Sequence, residues 1–278
     1  MTRLMSQERA RVLRALAEGG CVAPGPEADT LLAAAREGGA PIDELIARRL
    51  RGEPPAWIRG WVNFCDVRVR VDPGVFVPRP HTEALARRAA SLLPSDGVAV
   101  DLCTGSGAVA VVLRSARPRA TVVGTDIDQA AVACARANGV RAFPGDLDGA
   151  LPPSFRGSVD VVTAVVPYVP TEELHLLPRD VLASEPRAAL EGGPGGTSVL
   201  LRAVAAAPNL LRPGGSVLLE IGGDQAAEIG AALTDVGLSE IRIHRDDDGR
   251  HRAIEARRPG ESEWGRSGTV AAGRPAIV

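Results

Sequence analysis

The sequence predicts an α/β protein with a Rossmann-like, doubly wound sheet that ends in an antiparallel edge hairpin and follows a small helical N-terminal domain. Short apolar strand patterns alternate with amphipathic helix patterns from residue 81 onward, which is typical of a mostly parallel sheet covered by helices. Near the end, strand patterns over residues 241–245 and 252–256 flank Asp-Asp-Asp-Gly, a strong hairpin signal. Before the sheet, the first 56 residues carry only helix patterns.

The composition sets the class of protein. The 278 residues, 45% of them hydrophobic, suffice for one large and one small domain. No apolar run reaches membrane-spanning length and the N-terminus is charged throughout, so we expect neither a transmembrane helix nor a secretory signal. The four cysteines are widely separated, which predicts no metal site, no disulfide framework and a cytoplasmic location. A net charge of −2 without a long basic block argues against a direct nucleic-acid partner.

The N-terminal domain is predicted to span residues 1–56. Apolar residues recur at helical spacing over residues 6–19, 27–36 and 42–51, which indicates three amphipathic helices. Gly52, Pro54 and Pro55 then follow, and we expect them to end the helical block.

A β-hairpin linker is expected over residues 57–80. Val67, Val69 and Val71 alternate with arginines, the period of a half-buried strand. Asp72-Pro73-Gly74 is a turn sequence.

The large domain is predicted over residues 81–258, followed by a mobile tail at 259–278 that is rich in Gly, Ser and Arg. We expect the helix at 197–211 to be stopped by Arg212-Pro213-Gly214-Gly215 before a strand begins at Ser216. The predicted strands before the hairpin are 98–102, 121–125, 140–143, 159–166 and 216–221, and the predicted helices are 108–117, 128–138, 197–211 and 224–236.

A cofactor site is predicted where the first of these strands meets its helix, in the run from Asp101 to Ala108. The glycines of this turn let the backbone approach a ligand closely, and the helix N-terminus favours a carboxylate. Asp126 stands nineteen residues after Gly107, at the end of the second strand, where a carboxylate accepts hydrogen bonds from ribose hydroxyls. The third strand is followed by another acid. The expected cofactor-binding residues are Asp101, Cys103, Gly105, Gly107, Asp126 and Asp146.

Two other interpretations of this region are open. A tight turn without a ligand explains a lone Gly-x-Gly, but not the two well-placed acids as well. A nicotinamide dehydrogenase also places an acid after its second strand, and its third loop glycine falls here on Ala110, a permitted replacement. The edge hairpin and the segment around Pro167 favour S-adenosylmethionine, whose carboxylate suits the helix N-terminus.

At the level of whole motifs, the chain resembles the HemK-like protein glutamine N5-methyltransferases, which methylate a glutamine amide in peptide-chain release factors. The resemblance implies a class I methyltransferase fold, S-adenosylmethionine as the methyl donor and a release factor as partner. It covers nearly everything except the tail. It is carried by Gly52-Glu53-Pro54 through Gly60, Phe64, Val77-Pro78-Arg79-Pro80 with Thr82-Glu83, Pro167-Tyr168-Val169-Pro170, Glu185-Pro186 through Gly193, and Leu211 through Gly222.

The chain departs from that family at its diagnostic Asn-Pro-Pro-Tyr motif, which here reads Val165-Val166-Pro167-Tyr168. The resemblance implies catalytic roles for Val165, Pro167 and Tyr168. In the family, the Asn side chain and a backbone carbonyl accept the two amide N–H groups and so orient the nitrogen. Valine has no acceptor, and Thr163, two residues earlier on the same strand face, is expected to lie too deep to replace it.

Two further departures concern smaller features of the motifs. Cys103 replaces the first glycine of the usual loop, and His81 stands where the family usually carries an acid. His81 is either a base near the acceptor or a surface or packing residue.

Three functions remain open from these residues. The chain methylates a protein glutamine with another group in place of the Asn, or it methylates a different acceptor, such as a small molecule that needs no amide clamp. Alternatively, it binds the donor but has lost catalysis and acts through a partner surface.

Overall fold

The computed structural model describes residues 2–38 and 40–260. Residues 261–278, which make up most of the predicted tail, lie outside the described residues. The α-helices are α1 (Thr2–Glu18), α2 (Pro24–Arg36), α3 (Ile42–Leu50), α4 (Pro55–Arg59), α5 (Thr82–Leu92), α6 (Ala108–Ala116), α7 (Gln129–Ala137), α8 (Arg179–Ser184), α9 (Ser198–Leu210) and α10 (Ala226–Asp235). The strands are β1 (Trp61–Phe64), β2 (Val67–Arg70), β3 (Val98–Leu102), β4 (Thr121–Asp126), β5 (Arg141–Pro144), β6 (Val159–Ala164), β7 (Leu211–Glu220), β8 (Ser239–Arg245) and β9 (His251–Arg257).

A seven-stranded sheet forms the centre of the large domain, in the order β5-β4-β3-β6-β7-β9-β8. The first five of these strands are parallel, while β9 runs antiparallel to both β7 and β8. This confirms the predicted Rossmann-like class I methyltransferase sheet with an antiparallel edge hairpin. The strand order reverses between β3 and β6, and ligands of such sheets bind at the carboxyl ends beside that switch point.

The sheet is buried on both faces, as expected for parallel strands covered by helices. Alternate residues of β3 belong to different apolar clusters: Val100 and Leu102 to one, Ala99 to the other. The strands are therefore continuously apolar, and this explains why their positions could be predicted from the sequence.

Helices α1 to α4 enclose an apolar cluster of their own, which includes Val12, Leu31, Leu45 and Ile58. The three predicted helices are present within a few residues of their expected ends. The expectation that the prolines end the helical block was wrong, because α4 begins at Pro55. Proline suits the first position of a helix, where its missing N–H is not needed and its φ is already helical.

Strands β1 and β2 pair as an antiparallel hairpin in which Phe64 lies opposite Val67. The two turn residues between them, Cys65 and Asp66, have φ angles of 50° and 64°, the conformation of a tight hairpin turn. Trp57 donates from Nε1 to the carbonyl of Val75 at 2.9 Å. This bond ties α4 to the chain that follows the hairpin.

Besides α4, two further helices, one alanine-rich and one short, were missed. In α5, buried positions include Ala86, Ala89 and Ala90, and small side chains leave only a weak periodic signal. Helix α8 spans six residues, too few for a period of 3.6 to be recognised.

Two strand ends differ from expectation. Strand β6 stops at Ala164, so Val165 and Val166 lie beyond it. Strand β7 begins at Leu211 rather than Ser216, since Leu211 pairs with Val159 before residues 212–215 bulge out and pairing resumes at Ser216. A bulge absorbs the proline and glycines that were expected to separate helix from strand. None of the helices in the described part of the chain is long and apolar enough to cross a membrane.

Candidate active site

The carboxyl ends of β3, β4 and β6 border a cavity of about 330 Å³, here called the donor cavity. Its wall brings together most of the predicted cofactor residues. They include Cys103, Gly105, Asp126 and Asp146, with Val165 and Pro167 on the opposite side. Asp101 lies just below, on the wall of a small adjoining recess, whereas Gly107 lines neither space.

Asp101 is buried at the end of β3 and anchors the loop that follows it. Its carboxylate accepts hydrogen bonds from Thr104 Oγ1 at 2.6 Å and Thr163 Oγ1 at 2.7 Å. Burial raises the pKa of Asp101 to about 6, even though both hydroxyl groups favour the ionised form. Thr163 is fully buried and does not line the donor cavity, so it is not placed to replace the missing Asn.

The turn after β3 depends on left-handed backbone. Cys103, Gly105 and Gly107 have φ angles of 53°, 55° and 82°. A Cβ on Gly107 would lie 3.0 Å from Val140 Cγ2 and 3.2 Å from Ala135 Cβ, so this glycine allows α6 to pack closely against the next helix. A Cβ on Gly105 would meet nothing within 4 Å, which leaves this part of the turn open towards the cavity.

Asp126 ends β4 and joins two backbone segments through its carboxylate. Oδ2 accepts from the Gly105 N–H at 2.8 Å, and Oδ1 accepts from the Asp128 N–H at 2.9 Å. Burial raises the pKa of Asp126. Each carboxylate oxygen has a second acceptor site, so the group is able to bind hydroxyl donors from the cavity while it orders the turn.

Asp146 lies more openly at the rim of the donor cavity. It forms an ion pair with Arg202 of α9, and both side chains are about half exposed. It is therefore placed beside the predicted donor, but its charge is already balanced.

A second space of about 330 Å³, here called the acceptor cavity, lies on the other side of Val165. Its walls are mainly apolar. They include Phe76, Val165, Tyr168, Leu177, Val181 and Leu190, with the charged or polar side chains of Arg79 and His81 at one end. Phe76, Val165 and Ala189 line both cavities.

The backbone of Pro167 and Tyr168 is held by close packing from behind. A Cβ on Gly192 would lie 2.7 Å from the Pro167 carbonyl oxygen and 2.8 Å from Tyr168 Cα. Gln225 Nε2 donates to the Tyr168 carbonyl at 3.0 Å. The glycine-rich segment after Glu191 therefore lets this loop sit tightly against the end of the sheet.

Two side chains of the acceptor cavity, Arg79 and His81, contact buried glutamates that had no role in the sequence interpretation. Arg79 donates from Nη2 to both oxygens of the buried Glu185, at 2.7 and 2.8 Å, and burial raises the pKa of that carboxyl group. His81 Nε2 lies 3.2 Å from Glu220 Oε1. The motifs that contain Arg79 and His81 were visible in the sequence. Their pairing with Glu185 and Glu220, which lie 106 and 139 positions away, was not.

The N-terminal helices contact the segment that covers the acceptor cavity. Arg49 of α3, only 4% exposed, binds Glu27 at 2.7 Å and Asp180 of α8 at 2.6 Å. Ser184 Oγ donates to the Gly52 carbonyl at 2.7 Å.

In the described ranges, no group of three or more metal-binding side chains lies close enough together to hold an ion.

The chain is similar to known methyltransferases. The methyltransferase small domain family matches residues 66–143. A release factor glutamine methyltransferase of Bordetella pertussis is 39% identical over 211 residues, which cover 73% of this chain and 77% of the relative. A 4-amino-L-phenylalanine/4-methylamino-L-phenylalanine methyltransferase of Streptomyces pristinaespiralis is 37% identical over 240 residues, covering 81% and 79%.

A solved structure agrees with these relatives. The Mtq2–Trm112 complex of E. cuniculi, responsible for methylation of the translation termination factor eRF1, contains a chain with 25% identity and a TM-score of 0.50. The match covers 66% of this chain and 99% of that one. Together with the sheet order and the motifs at the strand ends, this similarity shows that the chain belongs to the release factor glutamine methyltransferase family and is an S-adenosylmethionine-dependent methyltransferase.

Proposed function

We propose that S-adenosylmethionine binds in the donor cavity, with Asp126 receiving the ribose hydroxyls and the turn at Gly105 facing the amino-acid end. The open side of Gly105, the free acceptor sites of Asp126 and the N-terminus of α6 fit such a ligand. When bound, the donor supplies a methyl group on a positively charged sulfur. The protein's part is to orient the acceptor and to exclude water.

We propose further that the acceptor is an amine carried on an aromatic small molecule rather than a glutamine amide. Val165 is the observation that carries this proposal, because it forms the wall shared by both cavities and offers no hydrogen-bond acceptor. An amide nitrogen needs acceptors for its N–H groups to be held in line with the methyl group. The lone pair of an amine is more available than that of an amide, so an amine nitrogen depends less on hydrogen-bond acceptors to orient it.

The lining of the acceptor cavity supports the same choice. Most of its wall is aliphatic or aromatic, which favours a flat apolar group over a polar glutamine side chain. One relative that matches 81% of this chain is named for the methylation of 4-amino-L-phenylalanine. The family therefore includes a member whose named acceptor is such an amine.

Release-factor glutamine is the second candidate, favoured by relatives that carry this name at 34–39% identity. It requires another acceptor in place of the Asn. Thr163 is fully buried and lines neither cavity, and a backbone carbonyl alone would hold one N–H and leave the other unpaired, at a cost of about 1–3 kcal/mol. A donor-binding protein without catalysis is the third candidate.

We also propose that the helices of residues 1–56 position the acceptor, with residues 57–80 as the linker to the catalytic domain at 81–258. The bonds from Arg49 to Asp180 and from Ser184 to Gly52 support this role. They join the helices to the segment over the acceptor cavity and not to the donor turn.

The test measures transfer of a radiolabelled methyl group from S-adenosylmethionine to two acceptors in parallel, 4-amino-L-phenylalanine and purified release factor. We expect turnover of the amine to exceed that of the release factor by at least tenfold in kcat/KM. Efficient methylation of release-factor glutamine with none of the amine would contradict the proposal. Calorimetric binding of the donor without transfer to either would support the third candidate.

A further inference from the structure

His81 stands at the polar end of the acceptor cavity and is held there by a buried carboxylate. Its Nε2 lies 3.2 Å from Glu220 Oε1 and 3.4 Å from the Tyr168 hydroxyl oxygen. The His81 side chain is 28% exposed and that of Glu220 only 3%. The imidazole therefore has one edge in the protein and another towards the cavity.

Glu220 is unusual because its second oxygen is unused. Oε2 is buried and has no hydrogen-bond partner within the described part of the chain. A buried carboxylate oxygen without a hydrogen bond is costly, and a positive charge that forms beside the carboxylate reduces that cost. His81 is the group in contact that gains such a charge when it takes up a proton.

The contact also selects the form of the neutral imidazole. An ionised carboxylate only accepts hydrogen bonds, so Nε2 must carry the hydrogen that points to Glu220. Nδ1 is then left with its lone pair. No hydrogen bond joins Nδ1 to another described residue, so its lone pair is free to accept a proton.

A second histidine–glutamate pair, His244 with Glu255, has a purely structural role and serves as a comparison. His244 Nε2 lies 2.9 Å from Glu255 Oε2, but Arg88 donates to both oxygens of that glutamate at 2.7 Å. Although burial opposes it, these bonds hold the pKa of Glu255 below its ordinary value. Its charge is already balanced, and the pair lines neither the donor nor the acceptor cavity.

We propose that His81 is the base that takes the proton from the acceptor amine, with Glu220 as the residue that orients it. This inference rests on the proposed amine acceptor. The nitrogen lone pair forms the new bond to the methyl carbon, and the electrons of the broken carbon–sulfur bond stay on sulfur. The nitrogen then carries a positive charge, which it loses by passing its proton to His81 Nδ1. The imidazolium is stabilised by Glu220 until the proton leaves to solvent.

The groups that face His81 bear on its role as the base. Glu220 comes from β7 and Tyr168 from the loop after β6, while Arg79 lies in the segment before His81 and lines the same cavity. Burial, and next the charge of Glu220, raise the pKa of Tyr168, which the charges of Arg252 and Arg79 oppose. Tyr168 thus stays neutral at working pH and does not compete as a base.

The experiment compares His81→Gln and Glu220→Gln with the matched control His244→Gln, using 4-amino-L-phenylalanine as acceptor. We expect His81→Gln to lower kcat by about 10²-fold and Glu220→Gln to lower it by about tenfold. Donor affinity by calorimetry and the melting temperature should stay close to those of the unmodified enzyme. The acidic limb of the kcat profile that belongs to His81 should vanish in His81→Gln, and added imidazole should restore part of the rate. A limb caused by Asp101 would persist in that variant.

An unchanged kcat in His81→Gln, or a loss that imidazole does not rescue and that leaves the pH profile intact, would overturn the inference while leaving the amine acceptor standing. Failure of the unmodified enzyme to methylate the amine would instead refute the proposed function. Nitrogen-15 NMR of the imidazole then still decides the inference. A hydrogen on Nε2 at neutral pH supports it, and a hydrogen on Nδ1 overturns it.

Discussion

The donor and acceptor cavities share the wall at Val165 but are built in different ways. On the donor side, the predicted cofactor acids lie at the ends of β3 and β4 beside short turns, where Asp101 accepts from the Thr104 hydroxyl and Asp126 from the Gly105 N–H. The acceptor side is assembled from segments far apart in the chain, joined by pairs such as Arg79 with Glu185 and His81 with Glu220.

This difference indicates which of the two sites is more easily altered by substitutions. A donor site made of local turns would have few alternatives, because the backbone conformation itself would form the proposed ligand contacts. An acceptor site made of side chains from several segments changes with single substitutions. Val165 and His81 both depart from the family pattern and line the acceptor cavity, whereas the third departure, Cys103, lines the donor cavity but keeps the left-handed backbone of its turn. The comparison therefore predicts retained donor binding with altered acceptor choice.

The largest expected effect lies in the contact between the N-terminal helices and the acceptor side. Arg49→Ala leaves Glu27 and Asp180 without their shared partner. The Glu27 side chain is only 13% exposed and that of Asp180 30%. We expect a loss of about 3 kcal/mol in the free energy of unfolding, measured by urea denaturation, with a raised KM for the acceptor.

The control for that change is Arg9→Ala, since Arg9 forms an exposed pair with Asp29 and its loss should change the free energy of unfolding little. Arg49→Lys keeps the charge and should recover part of the stability. Weakened donor binding in Arg49→Ala would show that the two sides are not separable.

The next effect tests the donor side through pH. The folded-state pKa of Asp101 is about 6 against an ordinary value of 3.8, so the folded protein binds this proton more tightly than the unfolded chain. Its contribution to stability is therefore present at low pH and is lost as pH rises from about 4 to about 6. Relative to Asp101→Asn, the unmodified protein should lose about 2 kcal/mol between pH 4 and pH 7.

Unfolding curves of the unmodified protein and of Asp101→Asn between pH 4 and pH 7 measure the difference in their free energies of unfolding. The titration of all other groups cancels in this difference. The exposed Asp43→Asn serves as a matched control. A difference that does not vary with pH would mean that burial does not raise the pKa of Asp101.

A third change separates the two sides directly. Asp126→Ala removes the carboxylate that accepts from Gly105 and Asp128 and that is proposed to bind the ribose. Donor affinity should fall by about 2 kcal/mol, measured by calorimetry with S-adenosylmethionine. Asp160→Asn, at the opposite end of the sheet, should leave that affinity unchanged. An unaltered affinity in Asp126→Ala would remove this residue from the donor site.

The smallest expected effect concerns acceptor choice. Val165→Asn places an amide oxygen at the shared wall, where it accepts one N–H of a glutamine amide. We expect release-factor methylation to rise by at least about fivefold, or about 1 kcal/mol, and methylation of the amine to fall. Val165→Ala, which opens space without adding an acceptor, should show no gain on the release factor. Full glutamine turnover by the unmodified enzyme, with no gain in Val165→Asn, would refute our interpretation of Val165.

Local patterns in the sequence determined the fold and the donor side. Alternating apolar strands and amphipathic helices predict the sheet, and the acids after β3 and β4 follow their strands at once, so no long-range contact is needed to place them. Less local features were predicted poorly. Helix α5 packs through alanines that give little periodic signal, and the bulge in β7 depends on pairing between Leu211 and Val159.

Only the tertiary structure decided how the acceptor side is assembled. In the sequence, Arg79, His81, Glu185 and Glu220 are separate members of motifs. Folding brings Arg79 into contact with Glu185 and His81 into contact with Glu220. Such pairings depend on strand order and on the path of the loops over the sheet, and neither can be read from local spacing. The unused oxygen of Glu220, which gives His81 its proposed role, is a property of burial and exists only once the chain has packed around it.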